Sequence, residues 1–263
     1  MSVQISKKYA EAYNMVKMYA EERNYKNTLI ALPMMQKICD RESFKKRDVY
    51  HDPFRFVDEY DHSLSICKML IALNLRVSEI EEDYILAAAI CHNLPEIMSV
   101  DNLEEMLVTE NGLDPKVYEI VNLVYWRESI PKSEKKLLFS RIQQDKLAVI
   151  IRLADRGNLV SQMHELSNWG AHRYIDETRA YFFPMCIYAK ENHPQIADAV
   201  SLLMEKMRSI LQVEEILLKR YEARELEMSQ EIQALKEENA TIKGIIKRMR
   251  ERREKEEYTE RDS

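Results

Sequence analysis

The sequence predicts an all-α fold with a long C-terminal helix, and three observations predict it. Glycine and proline are scarce, four and seven among 263 residues, which leaves little turn chemistry for hairpins. Charged residues make up 32% and apolar ones 46%, a mixture that suits long amphipathic helices better than sheet. No segment reads as a strand that could not equally be a buried helix.

Residues 5 to 23 carry Ile5, Tyr9, Tyr13, Val16 and Tyr19 at roughly helical spacing. A second short helix is expected over 28 to 40, with Pro33 as a point of interruption. The stretch 41 to 54 is charged and irregular. From Pro53 to Leu75 the positions Phe56, Leu64, Cys67 and Leu70 again fit a helix. Ser78 or Glu79 starts the next one, whose segment Tyr84 to Cys91 is almost wholly apolar and must be buried on most sides; Pro95 ends it soon after.

Two shorter helices are expected within 101 to 127, joined near Gly112 to Pro115, and then one long pattern over 134 to 165 with a core-like centre at Leu147 to Ala154. Helices over 171 to 190 and from 195 onward complete a globular part spanning 1–212.

The segment 213–249 reads differently. Leu218, Tyr221, Glu225, Met228, Ile232, Leu235, Asn239, Ile242, Ile246 and Met249 alternate spacings of three and four, a heptad seam. Its one amide at an a-type position, Asn239, favours a parallel two-stranded coil, so a homodimer through this segment is expected. The alternative is a single solvated helix. Residues 250–263 are charged, with too little apolar content to pack, and are expected to fray.

The net charge of −6 argues against nucleic acid as a partner, since phosphate backbones need a basic surface, but it leaves room for a local basic pocket. The four cysteines are scattered without a CxxC pair, a pattern of reduced thiols. No long apolar run or signal-peptide pattern is present, so a cytoplasmic location away from membranes is expected.

Chemistry is signalled where polar residues interrupt apolar helices. His92 and Asn93 follow directly on Ala87-Ala88-Ala89-Ile90-Cys91, and Asp155 and Arg156 follow Leu147 to Ala154. A buried carboxylate is costly without a counter-charge, so Asp155 needs Arg156, another nearby arginine, or a divalent ion. His62 adds an imidazole on the face shared with Ile66. Two imidazoles, an amide oxygen and a carboxylate form an N/O donor set suited to manganese, iron or zinc. A buried His–Asp–Arg hydrogen-bond network without an ion is the competing account of the same residues.

The order DEYDHSLSICKMLIALNL, ILAAAICHNLPE, AVIIRLADRGNLVSQM and RYIDETRAYFFPMCIYAKENHP resembles the HD superfamily. The likeness is to the hydrolase domain of RelA/SpoT homologues and their small bacterial and phage relatives, and it spans roughly residues 55 to 212. The resemblance implies one divalent metal, usually manganese, held by His62, His92, Asn93 and Asp155. It implies a water activated by that metal, which releases pyrophosphate from guanosine 3′,5′-bis(diphosphate) or a related nucleotide, with Glu96 as the acid that handles the water.

Asn93 stands where the family has a charged Asp ligand, and Ile97 replaces the second acid of its "ED" pair. An ungapped match sets Leu159 and Gln162 at the family's ligand-contacting Asn and Thr/Ser; a one-residue slip sets Asn158 and Ser161 there instead. Arg156 joins Asn158 and Ser161 as a substrate contact on this resemblance. Lys45, Lys46, Arg47 and Arg55 are candidates for a base-stacking residue, while His51, His164, His172 and His193 are read as bystanders. Two functions follow: a degenerate nucleotide-sensing or scaffolding module, or an active manganese-dependent phosphohydrolase.

Overall fold

The computed structural model describes residues 9–41, 47–48, 56–57, 59–97, 102–125 and 131–261; at 40–41, 47–48, 56–57, 59, 96–97, 165 and 251–261 it describes the backbone alone. The described chain is all-α, with a two-residue antiparallel rung, Arg47–Asp48 against Phe56–Val57, as its one extended pairing. Chain contacts divide it into two units, residues 1–212 and 213–263. Among the described residues no helix is long and apolar enough to cross a membrane.

In the first unit, α1 (Ala10–Arg23) ends where Asn24 turns left-handed at φ 58°, a conformation asparagine tolerates better than most residues. Helix α2 (Lys26–Arg41) runs through Pro33 without a break, contrary to the expected interruption. Its N-terminus is held from another element. The buried Asp83 carboxylate accepts from the backbone N–H groups of Asn27 and Thr28 at 3.0 and 2.8 Å, and from both their side chains. Helix α3 (Glu59–Ala72) follows, so His62 lies in a first turn rather than mid-helix.

Helix α4 (Glu79–Cys91) opens on a reciprocal capping box. Ser78 Oγ accepts from the Glu81 N–H, and the Glu81 carboxylate accepts from the Ser78 N–H at 3.1 Å. Its residues Ile85 to Cys91 are all buried, because α4 is sheathed by α2, α3, α6 and α8. It ends at Cys91; a four-residue helix α5 (Leu94–Ile97) then accommodates Pro95 in its first turn.

A π-helical segment, Glu105–Glu110, turns at Gly112 (φ +74°) into α6 (Pro115–Val124). The single pattern expected over 134 to 165 is two helices, α7 (Lys132–Ile142) and α8 (Lys146–Val160). The cause is Asp145, an extended N-cap whose carboxylate accepts from Leu147 N at 2.8 Å and Ala148 N at 3.1 Å. Every residue of α8 from Leu147 to Val160 is buried. Helices α4 and α8 are thus the two central rods of the unit, and both carry polar residues at their C-terminal ends.

Helix α9 (Asn168–Glu177) passes through a π-helical turn, Thr178–Phe182, into α10 (Phe183–Asn192). Pro184 lacks the N–H that a regular α-turn needs there, which accounts for the widened turn before it. The final helix, α11 (Ala197–Arg261), enters the second unit. The run expected to fray after 249 stays helical to Arg261; Arg, Glu and Lys are good helix formers. Every side chain from Lys219 to Arg250 is exposed.

Candidate metal and ligand site

Three buried donors converge at the ends of the central helices. His62 from α3, His92 at the C-cap of α4 and Asp155 from α8 bring one ligand atom each to within 4.8 Å of one another. His62 Nε2 lies 3.0 Å from Asp155 Oδ1, and His92 Nε2 lies 3.8 Å from the same oxygen. The two rings are 5.4 Å apart. All three residues are at most 4% exposed.

The second nitrogen of each ring decides what the first can do. His92 Nδ1 sits 2.7 Å from the Ala89 carbonyl, which only accepts, so Nδ1 carries the proton and Nε2 presents a lone pair. That Nε2 is fully buried and meets no hydrogen-bond partner among the described residues. His62 Nδ1 sits 2.9 Å from the Asn158 amide and its Nε2 3.0 Å from Asp155 Oδ1. An amide can accept or donate, so a proton on Nε2 bridges to Asp155 without an ion, whereas a proton on Nδ1 leaves the Nε2 lone pair to a cation. With the His62 proton on Nδ1, two lone pairs and a carboxylate oxygen face one point. Such a set of acceptors is stable around a cation, and the outward N–H contacts are the usual supports of ligating histidines. Donors ~2.1 Å from a shared ion are ~3.0 Å apart at a right angle and ~4.2 Å apart across it, a range that brackets both measured spacings.

Asp155 is also paired on its other oxygen: Arg152 donates to Oδ2 at 2.7 Å. Burial alone would raise the Asp155 carboxyl, but the Arg152 guanidinium beside it holds it well below the usual carboxylate range. Burial lowers the His92 imidazole, with the Asp155 charge opposing, which keeps the ring neutral and able to coordinate.

The other expected residues divide. Asn93 is buried beside His92, in the turn that follows α4. Asn158 reaches the cluster, whereas Leu159, its rival at that position, is buried without a polar group to offer. Ser161 is exposed at the C-cap of α8, where its hydroxyl donates to the Gly157 carbonyl at 2.9 Å. Arg156 does not pair with Asp155: it donates to Glu177 at 3.4 Å and lies 3.9 and 4.1 Å from the ring centres of Tyr174 and Phe182. The Glu96 and Ile97 side chains, His51, and the Lys45, Lys46, Arg47 and Arg55 side chains lie outside the described residues.

Sequence reasoning missed two features. One is Arg152, on the same face of α8 as Asp155 by its i,i+3 spacing. The other is a cavity of about 630 Å³ between α7 and α9, lined by Lys132, Lys135, Trp169, His172, Arg173 and Glu177 among others. Lys135 is buried and ion-paired to Glu177, which also meets Arg156, the residue next to Asp155. The 169/172/173/176 spacing of aromatic, basic and acidic residues on α9 is the signal that could have located it. His193 is a structural contact, its Nε2 2.8 Å from the Gln143 carbonyl.

No protein-family model matches the chain, and no characterised protein matches it in sequence.

Proposed function

We propose that this protein is an HD-type domain that holds a divalent metal on His62, His92 and Asp155 and binds a phosphorylated nucleotide, with turnover weakened or lost. The observation that carries the reading is the convergence of His62 Nε2, His92 Nε2 and Asp155 Oδ1, with His62 and His92 3.0 and 3.8 Å from the same buried carboxylate oxygen. A divalent ion there supplies Lewis acidity toward a phosphoryl oxygen or a water. Manganese, iron or zinc suits the donors, and manganese follows from the resemblance to RelA/SpoT-type hydrolases.

The attenuation follows from charge. Arg152 already neutralises Asp155, and Asn93 brings an amide where the resembling hydrolases bring a carboxylate, so the site offers a divalent ion little net negative charge. The chain's own residues serve binding. His62 and His92 are oriented by Asn158 and Ala89, and the cavity beyond Glu177 offers Lys132, Arg173 and His172 to phosphates and the Trp169 ring to a base. The buried Cys67 and Cys91 thiols accord with a reducing, cytoplasmic setting.

The second reading is an active manganese-dependent phosphohydrolase. It is favoured by the small number of protein donors, which leaves coordination positions open. One experiment separates the two. Metal content, nucleotide affinity and pyrophosphate release from guanosine 3′,5′-bis(diphosphate) are measured for the natural protein and for Asn93→Asp. The proposal expects weak manganese binding, nucleotide binding without release, and tighter metal binding by the variant. Sustained release by the natural protein establishes the second reading, and failure of both forms to bind any divalent metal leaves the ion-free network.

A further inference from the structure

The face of α11 between Tyr221 and Met249 is a heptad seam left exposed among the described residues, and its flanking charges match a second copy of itself. Met228, Leu235, Ile242 and Met249 take d positions and Ile232 and Ile246 take a positions; Ile232, Leu235 and Ile242 are 50%, 55% and 47% exposed. Ile232, Leu235, Lys236 and Asn239 border a concavity on this face, the i, i+3, i+4, i+7 diamond that receives one knob from a facing helix.

We propose that two copies of this chain pair through residues 221–249 as a parallel, in-register coiled coil. The flanking positions carry the choice of partner and direction. With Asn239 at a, the g positions include Glu231 and Glu238, and the e positions of the following heptads are Lys236 and Lys243. In a parallel homodimer each g residue faces the e residue five positions on in the other chain. Glu231 then meets Lys236 and Glu238 meets Lys243, twice each by symmetry. The remaining g–e pairs, Arg224 with Ser229 and Ile245 with Arg250, join no like charges.

An antiparallel pair would set Glu against Glu and Lys against Lys along the two flanks. It would also place Asn239 against an apolar d residue, leaving its amide without a partner, whereas the parallel register faces it with its own copy. A different helical protein would need this same charge order by coincidence; a second copy has it by identity. The inference does not depend on whether the His62 cluster binds metal.

The test uses the full chain in sedimentation at micromolar concentration. The natural protein is expected at twice the 31.2 kDa chain mass. E231K/E238K and K236E/K243E, each creating four repulsive pairs on exposed positions, should each weaken association about tenfold or more, and an equimolar mixture should restore it. Asn239→Cys should cross-link copy to copy under mild oxidation. A monomeric natural protein overturns the proposal, as do charge variants that associate as well as the parent. A dimer that fails to cross-link when it carries Asn239→Cys overturns the parallel register.

Discussion

His62 Nδ1 lies 2.9 Å from Asn158 Oδ1, and this contact aims the opposite ring nitrogen at Asp155 Oδ1, 3.0 Å away. A residue one turn beyond Asp155 on the same helix thereby fixes the orientation of the His62 ring. Supports of this kind matter about as much as the donors they orient.

Replacing Asn158 with Leu removes that support. Divalent-metal affinity should fall roughly 10- to 100-fold, the usual effect of losing a ligand's supporting contact. Stability should fall about 1–3 kcal/mol, because the buried His62 Nδ1 loses its hydrogen-bond partner. Titration calorimetry with manganese and urea unfolding measure the two effects; unchanged metal affinity would remove Asn158 from the site.

Arg152→Met separates a metal site from an ion-free network. Without Arg152, Asp155 becomes a buried carboxylate lacking its strongest partner, and the metal-free protein should lose about 3–5 kcal/mol. Added manganese should recover much of that loss and bind more tightly than to the natural protein. A variant that is destabilised but indifferent to metal supports the network instead.

Acid should weaken the metal-free protein in two stages. His92 is held below its ordinary value of 6.5, so the unfolded chain takes up this proton first and stability falls as pH drops below about 6.5. Asp155 is depressed as well; its contribution is intact above its ordinary value of 3.8 and is lost only as pH falls further, toward its folded-state pKa. Urea midpoints measured from pH 7.5 downward should slope accordingly. A flat profile between pH 7 and 5 contradicts the buried, neutral His92.

Asp83→Ala tests structure without touching the site. The carboxylate satisfies two backbone N–H groups at the start of α2 together with the Asn27 and Thr28 side chains, and its removal should cost about 2–4 kcal/mol. Metal content of the folded fraction should not change. A melting temperature equal to the parent's would mean that water replaces the cap at no cost.

Arg173→Glu reverses one charge in the α7–α9 cavity. Nucleotide affinity should fall tenfold or more while metal binding holds, since Arg173 lines the cavity and is not a donor to the cluster. Equal loss of both would show that the cavity and the cluster act as one folding unit.

Local chemistry was legible in the residues themselves. The scarcity of glycine and proline gives long helices, Ser78 or Glu79 marks the start of α4, and the apolar runs before His92-Asn93 and Asp155-Arg156 single out polar residues that must be buried. His62, His92 and Asp155 could be named as candidate donors because a buried carboxylate demands a counter-charge, and the 3–4 spacing after Leu218 is visible without coordinates. Adjacent helical residues point about 100° apart, so chain proximity is a poor guide to pairing. Arg156, next to Asp155, turns away to Glu177, while Arg152, three residues back, takes the carboxylate. Asn158 and Leu159 flank the Asp155 direction on opposite sides, about 60° and 40° away, and only the position of α3 decides that Asn158 meets His62. The cavity between α7 and α9 draws on residues some forty positions apart. Its existence, like the convergence of two imidazole nitrogens and a carboxylate oxygen on one point, is decided by how the helices pack and not by any pattern along one of them.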